Sequence, residues 1–306
     1  MSIAVIHVPW SLSRAGEARI SRHHFLPESQ LLTPEDAALR ARAHPRGITY
    51  RAPAGARALA HAAEHPGCVI AGYGALALHG LPFLAEGHDT VLIAPRAGNS
   101  LGDALSPTIV RRGVNPGEVA AFTINSFTFR LSTPPAATIQ ALKHHRLGLL
   151  PAVQLVDCVR RYLGVDPASL LDAGHYRLRK KWLTQVVGLS SEFADSPKET
   201  EMRLLTHEVA RDFGLTLREQ HPVFRGGRIV TVFDLALLEA RIGLMYDGKH
   251  HWDYHQRQKD SLINLEVTEL GWTPVRFSSG TLPQLPERLT GLLSDKSAGR
   301  RNPTWG

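Results

Sequence analysis

Residues 196–306 alternate apolar and polar positions in a readable order. Ser196-Pro-Lys-Glu199 has the form of a helix start, with the serine as cap, proline in the first turn and the glutamate reaching back. Met202, Leu205, Val209 and Phe213 then recur at helical spacing. Strand-like runs follow near 216–223, 229–237 and 240–246. A helix is predicted from about 253 to 270, ended by Gly271, then a strand over 273–277 and a last helix over 283–293. The predicted order is α-β-β-β-α-β-α.

The pattern before residue 196 is less regular. Thr33-Pro-Glu-Asp36 reads as a capped helix start running to about Ala43, with further helices over 54–64 and 73–79. Short β-rich runs are expected at 90–94, 108–111 and 122–131. From Thr133-Pro-Pro135 to about Val187 the text is helical, broken near 144–150, 164–167 and 174. The stretch 190–197 is polar and aperiodic, which makes it the expected domain boundary. The expected division is a mixed α/β domain over 1–132, a helical connecting region over 133–195, a domain over 196–295 and a disordered tail over 296–306.

With 43% hydrophobic and 21% charged residues in a chain of 306, there is ample material for two cores. No run of eighteen apolar residues exists, and the first ten residues lack the layout of a secretory signal, so no membrane association and a cytoplasmic location are expected. Cys68 and Cys158 are far apart and suggest neither a disulfide framework nor a zinc site. The net charge of +7 is unevenly spread: 20 basic against 14 acidic side chains in 1–195, and 15 against 14 in 196–306. Lys143, Arg146, Arg160, Arg161, Arg177, Arg179, Lys180 and Lys181 sit in the helical region with few acids between them. They read either as a solvated helix face or as a surface for phosphates.

Candidate chemistry concentrates at the end of the third predicted strand of the second domain, Gly243-Leu-Met-Tyr-Asp-Gly-Lys-His-His251. Strand alternation places Val230, Val232, Asp234 and Ala236 on one side, and Arg241, Gly243, Met245 and Asp247 on one side of the next strand. If the two strands pair as a hairpin, Asp234 and Asp247 converge. Carboxylates so gathered repel unless a hard cation joins them, and Mg²⁺ (or Mn²⁺) suits such oxygen ligands together with a substrate phosphate. Each residue also has a plainer role open to it. Glu199 fits a capping box, Asp234 can pair with Arg241 or Arg228, Asp247-Gly248 suits a tight turn, and Trp272 suits a core.

Taken as a set, Ser196-Pro197 with Glu199, Asp234, Tyr246-Asp247-Gly248 with His251, Asp260, and Gly271-Trp272 with Arg276 resembles the restriction-endonuclease-like PD-(D/E)XK superfamily. The likeness is greatest to its small domains related to very short patch repair endonucleases. It implies an α/β fold with a restriction-endonuclease-like α-β-β-β-α-β core, preceded by a mixed α+β and helical region. It also implies a Mg²⁺-dependent DNA endonuclease, with Glu199, Asp234, Asp247 and His251 catalytic, Asp234 and Asp247 on the metal, and Lys249, Arg276, Lys180 and Lys181 on DNA. Two positions depart from the pattern: Met245 stands where a glutamate is expected, and Ile263 where an arginine is usual. A thioether cannot replace a carboxylate on Mg²⁺. The alternative is a noncatalytic DNA-binding or toxin–antitoxin regulatory protein on the same scaffold.

The first half, through Ala71-Gly-Tyr-Gly-Ala-Leu-Ala-Leu-His-Gly-Leu-Pro82, Val91-Leu-Ile-Ala-Pro95, Ser132-Thr-Pro134 and the segment around Asp157, looks like actinobacterial proteins that join an abortive-infection (AbiEi-type) antitoxin-like region to such a domain. That likeness implies an antitoxin or defence-system partner. The winged helix usual at the start of that family is not apparent in residues 1–50.

Overall fold

The computed structural model describes residues 16–42, 44–96, 98–124, 127–248 and 254–299, with only the backbone described for 254–260 and 297–299. The chain is mixed α/β and divides into two compact units, Met1–Glu192 and Phe193–Gly306. The division falls inside the polar stretch 190–197.

In the first unit a short hairpin, β1 (Glu17–Arg19) and β2 (Phe25–Pro27), precedes α1 (Pro34–Ala41) and α2 (Ala54–Glu64). Then come β3 (Val69–Ala71), α3 (Gly72–Leu78), β4 (Val91–Ala94), β5 (Thr108–Arg111), β6 (Val119–Ile124) and β7 (Phe127–Ser132). Four helices close the unit: α4 (Pro134–His145), α5 (Leu149–Leu163), α6 (Pro167–Gly174) and α7 (Lys180–Gly188). They belong to the same compact unit as the sheet.

The five strands lie in the order β5-β4-β3-β7-β6, with β3–β7 and β4–β5 parallel. The run 122–131, read from sequence as one strand, spans parts of two, because β6 and β7 pair antiparallel with Phe122 opposite Phe129. Thr33 caps α1 by accepting from Asp36 N at 3.1 Å, as its sequence predicts.

The second unit opens with α8 (Pro197–Asp212). The strands β8 (Leu217–Arg225), β9 (Arg228–Leu237) and β10 (Ile242–Tyr246) follow, then α9 (Tyr254–Glu269), β11 (Thr273–Phe277) and α10 (Leu285–Gly299). The last helix reaches into the segment expected to be a disordered tail; residues 300–306 lie outside the described residues.

The sheet order is β11-β10-β9-β8, with β10–β11 parallel and the other pairs antiparallel. Leu235, Leu237, Ile242, Leu244 and Phe277 pack with Met202 and Val209 of α8 and Leu285, Leu289 and Leu293 of α10. Val223, Val230, Phe233, Ala236 and Met245 pack with Val267, Ile263 and Leu270 on the α9 side. The sheet is therefore covered on both faces, which explains why its strands are rich in apolar residues at successive positions.

β9 departs from regular alternation twice. Val230 has no partner between Thr231↔Val223 and Ile229↔Phe224, and Asp234 has none between Leu235↔Glu219 and Phe233↔His221. Gln220, facing Asp234, takes a left-handed backbone with φ 48°. Phe233 and Leu235 consequently pack on opposite faces although two residues apart. The period-two assignment of residues 230–236 to one side thus holds for Val230 and Ala236 and fails across Asp234. The register shift itself lies at Val223/Phe224, where Val230 is the extra residue; Asp234 and Gln220 are skipped one for one without a shift.

Candidate functional site

The irregularity in β9 coincides with a parting of strands. β10 pairs with β9 only from Ile242↔Leu237 to Leu244↔Leu235, whereas its pairing with β11 continues to Tyr246↔Phe277. Past Leu244 the Tyr246 N–H donates instead to the Asp234 carboxylate, at 2.6 Å. The acid thus occupies the wedge where two strands separate. Neither Arg228 nor Arg241, the cross-hairpin partners considered from sequence, pairs with it: Arg228 holds Glu266 at 2.5 Å, and Arg241 donates to the Leu270 carbonyl at 3.4 Å.

Burial pushes the Asp234 carboxyl above the usual carboxylate range; Asp195 and Asp247 add to the shift, while the Tyr246 N–H and Arg276 oppose it. Glu199, at the first turn of α8, is raised in the same direction by burial, with Asp234 and Asp195 contributing. Its carboxylate accepts from Ser196 Oγ at 2.9 Å and from the Asp195 N–H at 2.9 Å, while its own N–H donates to Ser196 Oγ at 3.2 Å. The capping role is therefore present, reaching one residue further back than the usual box.

Asp247 receives Arg276 Nη1 at 3.0 Å, and its N–H donates to the Phe277 carbonyl at 2.7 Å. Asp234, Glu199 and Asp247 are thus electrostatically joined around one end of the sheet. Lys249 and His251 lie outside the described residues, as does the side chain of Asp260. Lys180 and Lys181 belong to the first unit, exposed at the start of α7. Trp272 packs against Phe233, ring centroids 5.3 Å apart, in the core role expected of it.

Other residues join the site that the sequence pattern did not single out. A niche of about 10 Å³, roughly what one water needs, is lined by Glu199, Arg203, Glu219, Gln220, Asp234 and Leu235, with Phe193 and Ala194 closing it. Arg203 of α8 is buried and stands 3.5 Å from Glu219, Nε to Oε2. Two signals were available. Arg203 interrupts a helix whose neighbours Met202, Thr206 and Val209 are buried, and Glu219-Gln220 sits mid-strand where an apolar residue is usual.

The donor atoms around Asp234 are carboxylate oxygens, the right kind for Mg²⁺. Among the described residues no three His, Cys, Asp or Glu side chains form a cluster. Glu219 and Asp247 are already matched by Arg203 and Arg276. Met245, at the position where a third carboxylate is expected, packs with the apolar cluster on the α9 side. No protein-family model, curated protein or solved structure was found to match the chain.

Proposed function

We propose that the second unit is a restriction-endonuclease-like scaffold in a DNA-binding protein, and that its former metal site is countercharged from within. The observation that carries this reading is the pairing of site carboxylates with the protein's own guanidiniums, Arg203 with Glu219 and Arg276 with Asp247. Each pair lowers the negative charge the site offers a cation. Supporting the scaffold are the covered four-stranded sheet, the order α-β-β-β-α-β-α and the Asp234 carboxylate at the strand divergence.

Charge supports the choice of partner. The basic excess lies in residues 1–195, and Arg179, Lys180 and Lys181 are exposed at the first turn of α7, which has no side-chain cap. Three cations at the positive end of a helix oppose its dipole, an arrangement that an anionic phosphate relieves. A toxin–antitoxin regulatory role, with an antitoxin or defence-system partner, fits inside this proposal. Filter binding of a DNA duplex by the full chain tests it. Lys180→Glu with Lys181→Glu should weaken binding at low salt about tenfold and lower the salt slope by about 2. Unchanged binding would remove these residues from the interface.

A second reading, a Mg²⁺-dependent endonuclease, draws on one observation: the Asp234 and Glu199 carboxyls are both raised, a half-buried pair of acids of the sort found where chemistry is done. On that reading the full chain nicks plasmid DNA with Mg²⁺, and Asp234→Ala abolishes the nicking.

A further inference from the structure

The first unit contains a cleft that the DNA-binding reading does not use. Its floor is assembled by strand register: Val91 lies opposite Ala71, and Ile93 opposite Val110, so the four side chains form an apolar patch across β3, β4 and β5. Above the floor stand Arg112, just past β5, and Lys143, His144 and Arg146 at the end of α4. The open space measures about 330 Å³, within the range of small-molecule sites, roughly 300–1,000 Å³. No acid lines it, and among the described residues none of Arg112, Lys143 and Arg146 takes part in an ion pair.

The C-terminal end of α4 accounts for the sign of Lys143 and Arg146, since a helix attracts cations there. It does not account for Arg112, which arrives from a different element. Burial lowers the Arg112 guanidinium, and Arg177 nearby adds to this while Glu118 opposes it. His144 is lowered as well, chiefly by desolvation, with Asp89 opposing and Arg46 adding to the shift. Three positive charges facing each other over an apolar floor, without a carboxylate, complement a ligand that has a multiply charged anionic head and an uncharged flat body.

We propose that this cleft binds a nucleotide-sized organophosphate, its planar body on Ala71, Val91, Ile93 and Val110 and its phosphate against Arg112, Lys143 and Arg146. A phosphate supplies close to two negative charges and three acceptor oxygens, whereas a carboxylate supplies one charge and two.

Calorimetric titration of the full chain with adenosine monophosphate, adenosine and ribose 5-phosphate tests the assignment. The monophosphate should bind, and each of the other two, lacking the head or the flat body, should bind at least about tenfold more weakly. Lys143→Glu with Arg146→Glu should weaken the monophosphate about tenfold or more, whereas Arg42→Glu with Arg51→Glu, an equal charge change on exposed residues away from the cleft, should alter it less than about twofold. Circular dichroism on both double variants separates lost binding from lost folding. No binding at millimolar monophosphate would overturn the proposal. So would equal affinity for ribose 5-phosphate, or equal weakening by both double variants. Duplex DNA binding that depends on Lys143 and Arg146 without any mononucleotide binding would also overturn it, and would assign the cations to a phosphate backbone.

Discussion

Asp234 is held among other acids in the second unit. It is held by one backbone N–H, is half-buried, and lies within electrostatic reach of Asp195, Asp247 and Glu199. A carboxyl whose folded pKa lies above its unfolded value binds protons more readily when folded. Its contribution to stability is full below the unfolded pKa, about 3.9, and is lost as pH rises through the folded value. Asp234→Asn keeps an oxygen for the Tyr246 N–H and removes the charge. Thermal unfolding followed by circular dichroism should show a melting temperature a few degrees higher than wild type at pH 7, with the gap closing toward pH 4. A variant that melts lower, by an amount independent of pH, would mean the carboxylate is satisfied by its surroundings. Met245 sets the opposite case. Its side chain packs beside Phe233 and Val267, so Met245→Glu should destabilise the unit by about 1–3 kcal/mol in urea titration at pH 7, with less loss at pH 4. A neutral effect would place the side chain in solvent.

The elements of the second unit were legible because each carries its own punctuation. Ser196 and Pro197 mark the start of α8, Gly271 with φ 82° follows α9, and the sheet's two buried faces follow from apolar runs on β9 and β10. The faces near the site were not legible. Alternation cannot foresee that Val230 and Asp234 fall out of the ladder, since that depends on how β8 and β9 fit together across Gln220. Gly243 is the counterpart of that irregularity: a Cβ there would meet the Phe233 ring at 2.2 Å. Gly243→Ala should therefore cost about 1–3 kcal/mol by overpacking, and Phe233→Leu should recover part of the loss in a double-mutant cycle. Strict additivity would show that the ring does not lie over Gly243.

In the first unit the reading missed a buried polar framework, because the residues that make it are distant in sequence. Arg57, 1% exposed, donates to the carbonyls of Ala52, Glu86 and His88 and stacks over Tyr50 at 3.8 Å. Asp89 accepts from His44, Arg46 and Tyr50. Arg57→Ala would strand three carbonyls and should cost about 3 kcal/mol or more, read from urea unfolding. A loss below about 1 kcal/mol would mean that other donors replace it.

At the scale of the whole molecule the chain pairs a basic first unit with a second unit in which Glu219 and Asp247 are paired with Arg203 and Arg276, and no described helix is long and apolar enough to cross a membrane. The likeness to endonucleases was carried by short motifs, while the ion pairs to Glu219 and Asp247 come from Arg203 and from the geometry of Arg276, which no motif announces. The most direct measurement is the retardation and nicking of supercoiled plasmid by the full chain with Mg²⁺ or Mn²⁺ over a series of salt concentrations. The account predicts retardation that weakens steeply with salt and plasmid that stays supercoiled. Nicking by the wild type that disappears in Asp234→Ala would contradict it.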